Sequence, residues 1–126
     1  MKCIHLDFHT SPTIDGIGEN FSAEEFTKTI KEARVELVTV FAKCHHGYSY
    51  HPTKANTIHP GLKFDLLGEQ LAVCKELGVN APVYISAGFD EKEYIKRPEW
   101  RWLPFPQKER NEEFLNKRKR ILVQTN

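Results

Sequence analysis

The stretch V-E-L-V-T-V-F-A, residues 35–42, decides the fold of this chain. It is rich in β-branched and aromatic residues and almost continuously apolar, which is typical of a strand covered on both faces in a parallel sheet. A helical pattern precedes it and another follows it, and further strand patterns lie beyond each helix. The order β-α-β-α-β predicts parallel strands joined by right-handed crossovers, with this stretch at the centre of the sheet.

Two helices are predicted, one before and one after the central strand in the sequence. Ser22 stands three residues before Glu25, which is the spacing of a helix N-cap, and apolar residues then recur at helical spacing as far as Ala33. Apolar residues also recur at helical spacing over residues 64–77, with Gly78 just past the end. Both helices are therefore expected to pack an apolar face against the sheet.

Two outer strands complete the predicted sheet. Residues 2–9 alternate polar and apolar side chains, and A-P-V-Y-I-S-A, residues 81–87, forms the third strand. Residues 107–120 place acidic side chains early and basic ones late, which predicts a further helix. The fold class is therefore α/β, either a small doubly wound sheet or part of a (β/α)8 barrel. A complete barrel normally needs about 250 residues, and this chain has 126.

The composition is that of a soluble globular domain, with 40% hydrophobic and 28% charged residues. The formal net charge of +1 gives no chain-wide field that would attract nucleic acid or an anionic membrane. Three cysteines without paired spacing predict free thiols in a reducing compartment. No apolar run approaches the roughly 18 residues of a membrane helix, and no signal peptide is recognised, so the expected location is the cytoplasm.

Polar residues gather where the predicted strands end in loops, and the loop over residues 43–63 is unusually long for a connection between a strand and a helix. These residues are Asp7 and His9 after the first strand, Lys43, Cys44, His45 and His46 after the second, and Tyr84, Ser86 and Asp90 after the third. Parallel strands place their carboxyl ends at one edge, so the groups are expected to meet. Histidines there could bind a ligand, transfer protons or hold a metal; a structural role for each is the alternative.

Two other chemistries remain open for these loops. D-F-H-T-S-P-T-I-D-G, residues 7–16, resembles the opening of the polymerase-and-histidinol-phosphatase metallophosphoesterases, which carry two histidines with one residue between them. The first position here is His9 and the second is Ser11. Cys44 adjoins two histidines and could act as a thiol nucleophile, although neighbours on an extended chain point apart and a buried cysteine is favoured. We expect no metal and no cofactor.

Five stretches together resemble the glycosyl-hydrolase-like family six. They are L-D-F-H-T-S-P (6–12), V-F-A-K-C-H-H-G-Y-S-Y-H-P-T-K (40–54), H-P-G-L-K-F-D-L-L-G-E-Q-L-A-V-C-K-E-L-G-V (59–79), V-Y-I-S-A-G-F-D-E (83–91) and P-E-W-R (98–101). The resemblance covers about residues 3–103. It implies that residues 1–103 form the amino-terminal part of a (β/α)8 glycosidase barrel and that residues 104–126 form a helical tail.

Residues 42–54 and 64–86 are also similar to the α-L-fucosidases, whose second-strand motif reads Ala-Lys-His-His-Asp-Gly-Phe. In that register the two family histidines fall on Cys44 and His45, the aspartate falls on His46, and His9 falls near a histidine that contacts the sugar. The resemblance implies a carbohydrate site formed by His9, Lys43, His45, His46, Tyr48 and Tyr84. Apolar contact with a sugar ring is expected from Tyr48, Tyr50 and Trp100.

The fucosidase pattern takes its nucleophilic aspartate from a fourth strand, and no fourth strand is recognised in this sequence. We therefore expect a truncated, glycosidase-like chain that recognises carbohydrate without hydrolysing it, and no catalytic residue is assigned. A non-catalytic binding or assembly module is the main alternative, and a metal-dependent phosphoesterase is a weaker one. The free edges of a three-stranded sheet favour a homo-oligomer. Neither nucleic acid nor a membrane is an expected partner.

Overall fold

The computed structural model of the protein describes residues 1–100 of the chain, without the side chain of Trp100. Its elements are β1 (Cys3–His5), α1 (Ala23–Ala33), β2 (Leu37–Lys43), α2 (Leu66–Leu77), β3 (Val83–Ile85), α3 (Glu91–Lys96) and a short 3-10 helix (Pro98–Trp100). The predicted β-α-β-α-β order is confirmed. The helix predicted at 107–120, within the expected tail at 104–126, lies outside the described residues.

The sheet has the order β1-β2-β3, and both pairs of strands are parallel. In the register, His5 lies beside Thr39 and Phe41 lies beside Tyr84. Val40 is fully buried and Phe41, which faces the opposite side of the sheet, is only 3% exposed. The central strand is therefore covered on both faces, as its apolar sequence predicts.

Both predicted helices form, with Ser22 and Gly78 at the expected ends, and α2 begins two residues later than predicted, after Asp65. The Ser22 hydroxyl accepts a hydrogen bond from the backbone N–H of Glu25 at 3.2 Å at the start of α1. The Asp65 carboxylate accepts from the backbone N–H of Gly68 at 2.8 Å at the start of α2. Gly78 ends α2 with φ of 65°, which an L side chain would adopt only with strain.

The main core lies between the two helices and one face of the sheet. Its buried side chains are Ile30, Val35, Val38, Val40, Ala42, Leu67 and Cys74. The helices contact each other, and α2 also packs directly on β2. The opposite face of the sheet is therefore left for the side chains that form the candidate site.

The outer strands are shorter than predicted, because only three residues of each pair with β2. The backbone N–H of Leu6 still donates to the Thr39 carbonyl at 3.1 Å, but the chain then leaves the ladder. Phe8 packs edge-on against the ring of Tyr50, with ring centroids 4.9 Å apart. Residues 7–9, expected to continue the first strand, therefore belong to a loop that is anchored by side-chain contacts.

The segment after β3 contains α3, where the sequence predicts only a polar loop. The Asp90 carboxylate accepts from the backbone N–H of Glu93 at 2.9 Å and caps this helix. An aspartate followed three residues later by a glutamate is a helix-start pattern, so a local signal for α3 was present.

β1 and β3 lie at the edges of the sheet, and Val83 and Ile85 of β3 are 41% and 44% exposed. Self-association through these edges stays a prediction. None of the helices in the described part of the chain combines the length and the hydropathy that a bilayer span requires.

A second cluster of buried side chains surrounds Tyr50, which is fully buried. Its hydroxyl lies 2.7 Å from Oγ1 of Thr10 and 3.0 Å from Sγ of Cys44, and it accepts from the backbone N–H of Thr10 at 3.2 Å. Burial, and then the hydrogen bond with Cys44, raise the pKa of Tyr50, so the group remains a neutral phenol. One side chain thus joins the loop after β1 to the loop after β2.

Replacing Tyr50 by Phe should lower the free energy of unfolding by about 1–3 kcal/mol, because the buried Sγ of Cys44 and the partly buried hydroxyl of Thr10 lose a hydrogen-bond partner. Urea unfolding of the whole chain measures this change. Tyr48→Phe, which removes a hydroxyl from a partly exposed tyrosine of the same loop, should change the value by less than about 0.5 kcal/mol. Equal losses in the two variants would show that the Tyr50 hydroxyl does not hold the loops together.

Candidate functional site

Three histidines meet at the carboxyl edge of the sheet. His9 comes from the loop after β1, and His45 and His46 come from the loop after β2. Nδ1 of His9 lies 2.8 Å from Nδ1 of His45, and the rings of His45 and His46 have centroids 4.2 Å apart. Residues 36 positions apart are therefore brought into contact by the parallel arrangement of the strands.

A carboxylate lies at each end of this group of histidines. Oδ1 of Asp7 is 2.8 Å from Nε2 of His9, and Oε2 of Glu91 is 2.5 Å from Nδ1 of His46. We call the five residues Asp7, His9, His45, His46 and Glu91 the imidazole row. The His9 side chain is 30% exposed and that of His46 is 22% exposed, so a ligand can reach the row.

Aromatic rings on the sheet adjoin the imidazole row. Tyr84 of β3 stacks on Phe41 of β2 with centroids 4.4 Å apart, and His5 of β1 meets Phe41 edge-on at 5.2 Å. We call His5, Phe41 and Tyr84 the aromatic floor. His9 contacts this floor edge-on, 5.2 Å from Phe41 and 6.4 Å from Tyr84. The strands thus supply an apolar surface beside the polar row.

His45 lies in the middle of the imidazole row and is disfavoured as a cation. Burial lowers its pKa, and the neighbouring His46 and His9 lower it further, against smaller opposing effects of Glu91 and Asp7. The folded protein therefore binds a proton at His45 less readily than the unfolded chain does. The stability that depends on neutral His45 is present above the ordinary histidine pKa of about 6.5 and is lost as the pH falls below it.

The structure places Lys43 in a buried ion pair. Its Nζ atom lies 2.7 Å from Oδ2 of Asp90, and the two side chains are 7% and 9% exposed. The register between β2 and β3 shifts between Phe41 and Lys43, which marks a bulge where the central strand ends. The role of Lys43 as a ligand contact stays a prediction, and its ammonium group already has an internal partner.

The predicted aromatic contacts divide into three cases. Tyr48 has Nζ of Lys92 5.6 Å from its ring centroid and the ring of His59 at 5.8 Å, and its role as a ligand contact stays a prediction. The expected contact between Tyr50 and a sugar ring is wrong, because Tyr50 is fully buried and its hydroxyl joins the two loops. The side chain of Trp100 lies outside the described part of the chain.

The start of α3 holds the loop that carries His45 and His46. The backbone N–H of Glu91 donates to the His45 carbonyl at 2.7 Å, and Nζ of Lys92 donates to Oδ1 of Asn56 at 2.5 Å. Gly47 has φ of 90°, and a Cβ atom there would clash with the Asp90 carboxylate, so the loop needs glycine at this close approach. Glu91 and Lys92 reach this loop because they begin α3, a helix that was not predicted from the sequence.

The other candidate groups have defined environments. Cys44 is fully buried against the Tyr50 hydroxyl, as favoured from the sequence, rather than open to a substrate. Ser86 is also buried, and its hydroxyl donates to the Phe89 carbonyl at 2.7 Å. Among residues 1–100, no three His, Cys, Asp or Glu side chains are arranged to hold a metal ion together.

Replacing Lys43 by Met should lower the free energy of unfolding by about 3–5 kcal/mol, because the Asp90 carboxylate is left buried without its counter-charge. Asp90→Asn removes that charge and keeps a side chain able to cap α3. The double variant should therefore be more stable than the sum of the two single changes predicts. Additive losses in urea unfolding would contradict this coupling, and Lys63→Met serves as the exposed-lysine control.

Comparison with known proteins places the chain in a family. The sequence matches the family described as hypothetical glycosyl hydrolase 6 over residues 22–124. This match continues beyond residue 103, where the resemblance was expected to end, and the division into 1–103 and 104–126 stays a prediction. No curated protein matches the chain.

Among solved structures, α-L-fucosidase isoenzyme 2 from Paenibacillus thiaminolyticus is similar at 52% identity with a TM-score of 0.76, over 79% of this chain and 15% of that one. An α-L-fucosidase from Bacteroides thetaiotaomicron shares the fold with a TM-score of 0.56 at 23% identity, over 91% of this chain and 23% of that one. The chain thus corresponds to a part of each enzyme. It belongs to the hypothetical glycosyl hydrolase 6 family and is related to the α-L-fucosidases.

Proposed function

We propose that the imidazole row and the aromatic floor bind a neutral sugar, and that L-fucose is the first ligand to test. The observation that carries this proposal is the row itself, a line of hydrogen-bonding groups beside aromatic rings at the carboxyl edge of a parallel sheet. Ligands of α/β proteins bind at this edge. The choice of fucose rests on the 52% identity to a protein named an α-L-fucosidase.

The charges of the site favour a neutral sugar over an anionic one. Asp7 and Glu91 place a carboxylate at each end of the row, and the ammonium group of Lys43 is already paired with Asp90. Sugar hydroxyls can donate hydrogen bonds to carboxylates and to imidazole nitrogens, whereas a phosphate or carboxylate on a ligand would be repelled. The apolar face of a sugar ring can pack on the two rings of the floor that are not buried, His5 and Tyr84, and the buried ring of Phe41 supports them from below.

We infer that the described residues provide recognition rather than hydrolysis. Glycosidases generally use two carboxyl groups about 5–9.5 Å apart, one acting as acid and the other as nucleophile or base. Asp7 is paired with His9 and Glu91 is paired with His46, so each carboxylate already has a histidine partner. The fucosidase resemblance assigns the nucleophile to a fourth strand, and the described residues contain three.

Replacing His45 by Ala should weaken L-fucose binding about two- to tenfold, the effect of losing one hydrogen bond worth about 0.5–1.5 kcal/mol. Isothermal titration calorimetry of the whole chain measures the affinity. His51→Ala, which removes another imidazole of the same loop, should leave it unchanged. Equal weakening in both variants, or no fucose binding by the original chain, would reject the assignment.

The same preparation should not hydrolyse an aryl α-L-fucoside, because both carboxylates of the row are paired with histidines. Release of the aryl alcohol is followed by absorbance. Turnover that Asp7→Ala abolishes would show that the row carries out hydrolysis and would overturn the recognition-only part of the proposal.

A further inference from the structure

The hydrogen bonds along the imidazole row have a fixed order of donors and acceptors. We propose that Asp7 is a positioning residue that fixes where the protons of His9 and His45 lie, so that His45 presents an unprotonated Nε2 to a ligand. The ligand is the sugar of the proposed function, and this part of the inference rests on that function. The placement of the protons concerns the free protein and does not depend on that function.

The first step is the contact between Asp7 and His9. Oδ1 of Asp7 lies 2.8 Å from Nε2 of His9, whereas His5 is a more distant neighbour of the same carboxylate at 3.8 Å. An unprotonated nitrogen would direct its lone pair at a carboxylate oxygen, and the two would repel each other at this distance. Nε2 of His9 therefore carries a proton, and in the neutral ring Nδ1 is left as an acceptor.

The second step is the contact between His9 and His45. Their Nδ1 atoms are 2.8 Å apart, and a hydrogen bond at this distance requires one proton between the two nitrogens. Nδ1 of neutral His9 has no proton to give, so Nδ1 of His45 must be the donor. Each neutral imidazole carries one ring proton, and Nε2 of His45 is consequently left with a lone pair.

The third step is the position of that lone pair. Within residues 1–100, Nε2 of His45 has no hydrogen-bond partner. The side-chain polar atom in this part of the chain that is both buried and without a partner is Nδ1 of His51, so Nε2 of His45 is not buried. Nε2 is therefore free to accept a hydrogen bond from a ligand hydroxyl. Because the pKa of His45 is lowered, the ring is neutral, and Nε2 keeps its lone pair, above the ordinary histidine pKa of about 6.5.

His46 and Glu91 complete the surroundings of His45. Glu91 lies against Nδ1 of His46, so by the same reasoning this nitrogen is protonated and neutral His46 also turns an unprotonated Nε2 away from its carboxylate. The two carboxylates thus orient the row from opposite ends. A ligand that donates hydroxyl protons matches this arrangement, and one that offers only acceptors does not.

Asp7→Ala tests the assignment by removing the carboxylate from a side chain that is 68% exposed, so the fold should survive. Nitrogen-15 spectra of the histidine side chains of the whole chain, recorded without ligand at about pH 8, distinguish the two neutral tautomers. We expect the original protein to carry the proton of His9 on Nε2 and that of His45 on Nδ1. In Asp7→Ala, His45 should become a mixture of tautomers, with the amide spectrum otherwise retained.

Two controls separate positioning from a general effect on structure. Asp7→Asn keeps an acceptor oxygen and should restore most of the Nδ1-protonated form of His45, and Asp15→Ala, at an exposed acid on the same loop, should leave it intact. A proton on Nε2 of His45 in the original protein would overturn the proposal. So would an unchanged His45 tautomer in Asp7→Ala.

The proposed function and this inference can fail separately. If His45 is protonated on Nδ1 but the chain does not bind L-fucose, the placement of the protons is correct and the sugar assignment is wrong. If fucose binds and the tautomer of His45 is the opposite one, the reverse holds. When both stand, Asp7→Ala should weaken fucose binding about two- to tenfold, the worth of one hydrogen bond, with Asp7→Asn recovering most of the loss.

Discussion

The buried hydroxyl of Tyr50 is the contact on which the candidate site depends. It bonds Thr10, the residue after His9, and Cys44, the residue before His45. The two imidazoles come from different loops, and their nitrogens can lie 2.8 Å apart only if those loops are held in register. A polar group in a fully buried position is stabilising only when it is hydrogen-bonded, so the same contact ties the packing of the loops to the geometry of the site.

A second set of contacts holds the site from the other side. Asp90 begins α3 and pairs with Lys43 at the end of the central strand, and Glu91 bonds both the backbone of His45 and the ring of His46. Burying Lys43 and Asp90 costs desolvation energy, which makes this pair weak support for stability by itself. Its effect is to fix where α3 begins, and thereby which side of the row the Glu91 carboxylate approaches.

The sequence predicted the elements whose signals are local. The central strand, the cap at Ser22 and the stop at Gly78 follow from short patterns, and parallel topology then places the strand-end histidines at one edge. The lengths of β1 and β3 depend on pairing with another strand, so periodicity overestimated them. The partners of the site residues, Asp7 for His9 and Asp90 for Lys43, depend on the paths of the loops, which sequence spacing does not determine.

The most direct test of sugar recognition at the imidazole row is to titrate L-fucose into the chain and follow the side-chain signals of its six histidines by NMR. The signals of His9, His45 and His46 should shift together with one dissociation constant. His59 should stay unchanged, because it is buried and its two ring nitrogens are bonded to the backbone of Ser11 and Gly61. Saturable binding that leaves the signals of the three row histidines unchanged, or no binding at all, would contradict sugar recognition at the imidazole row.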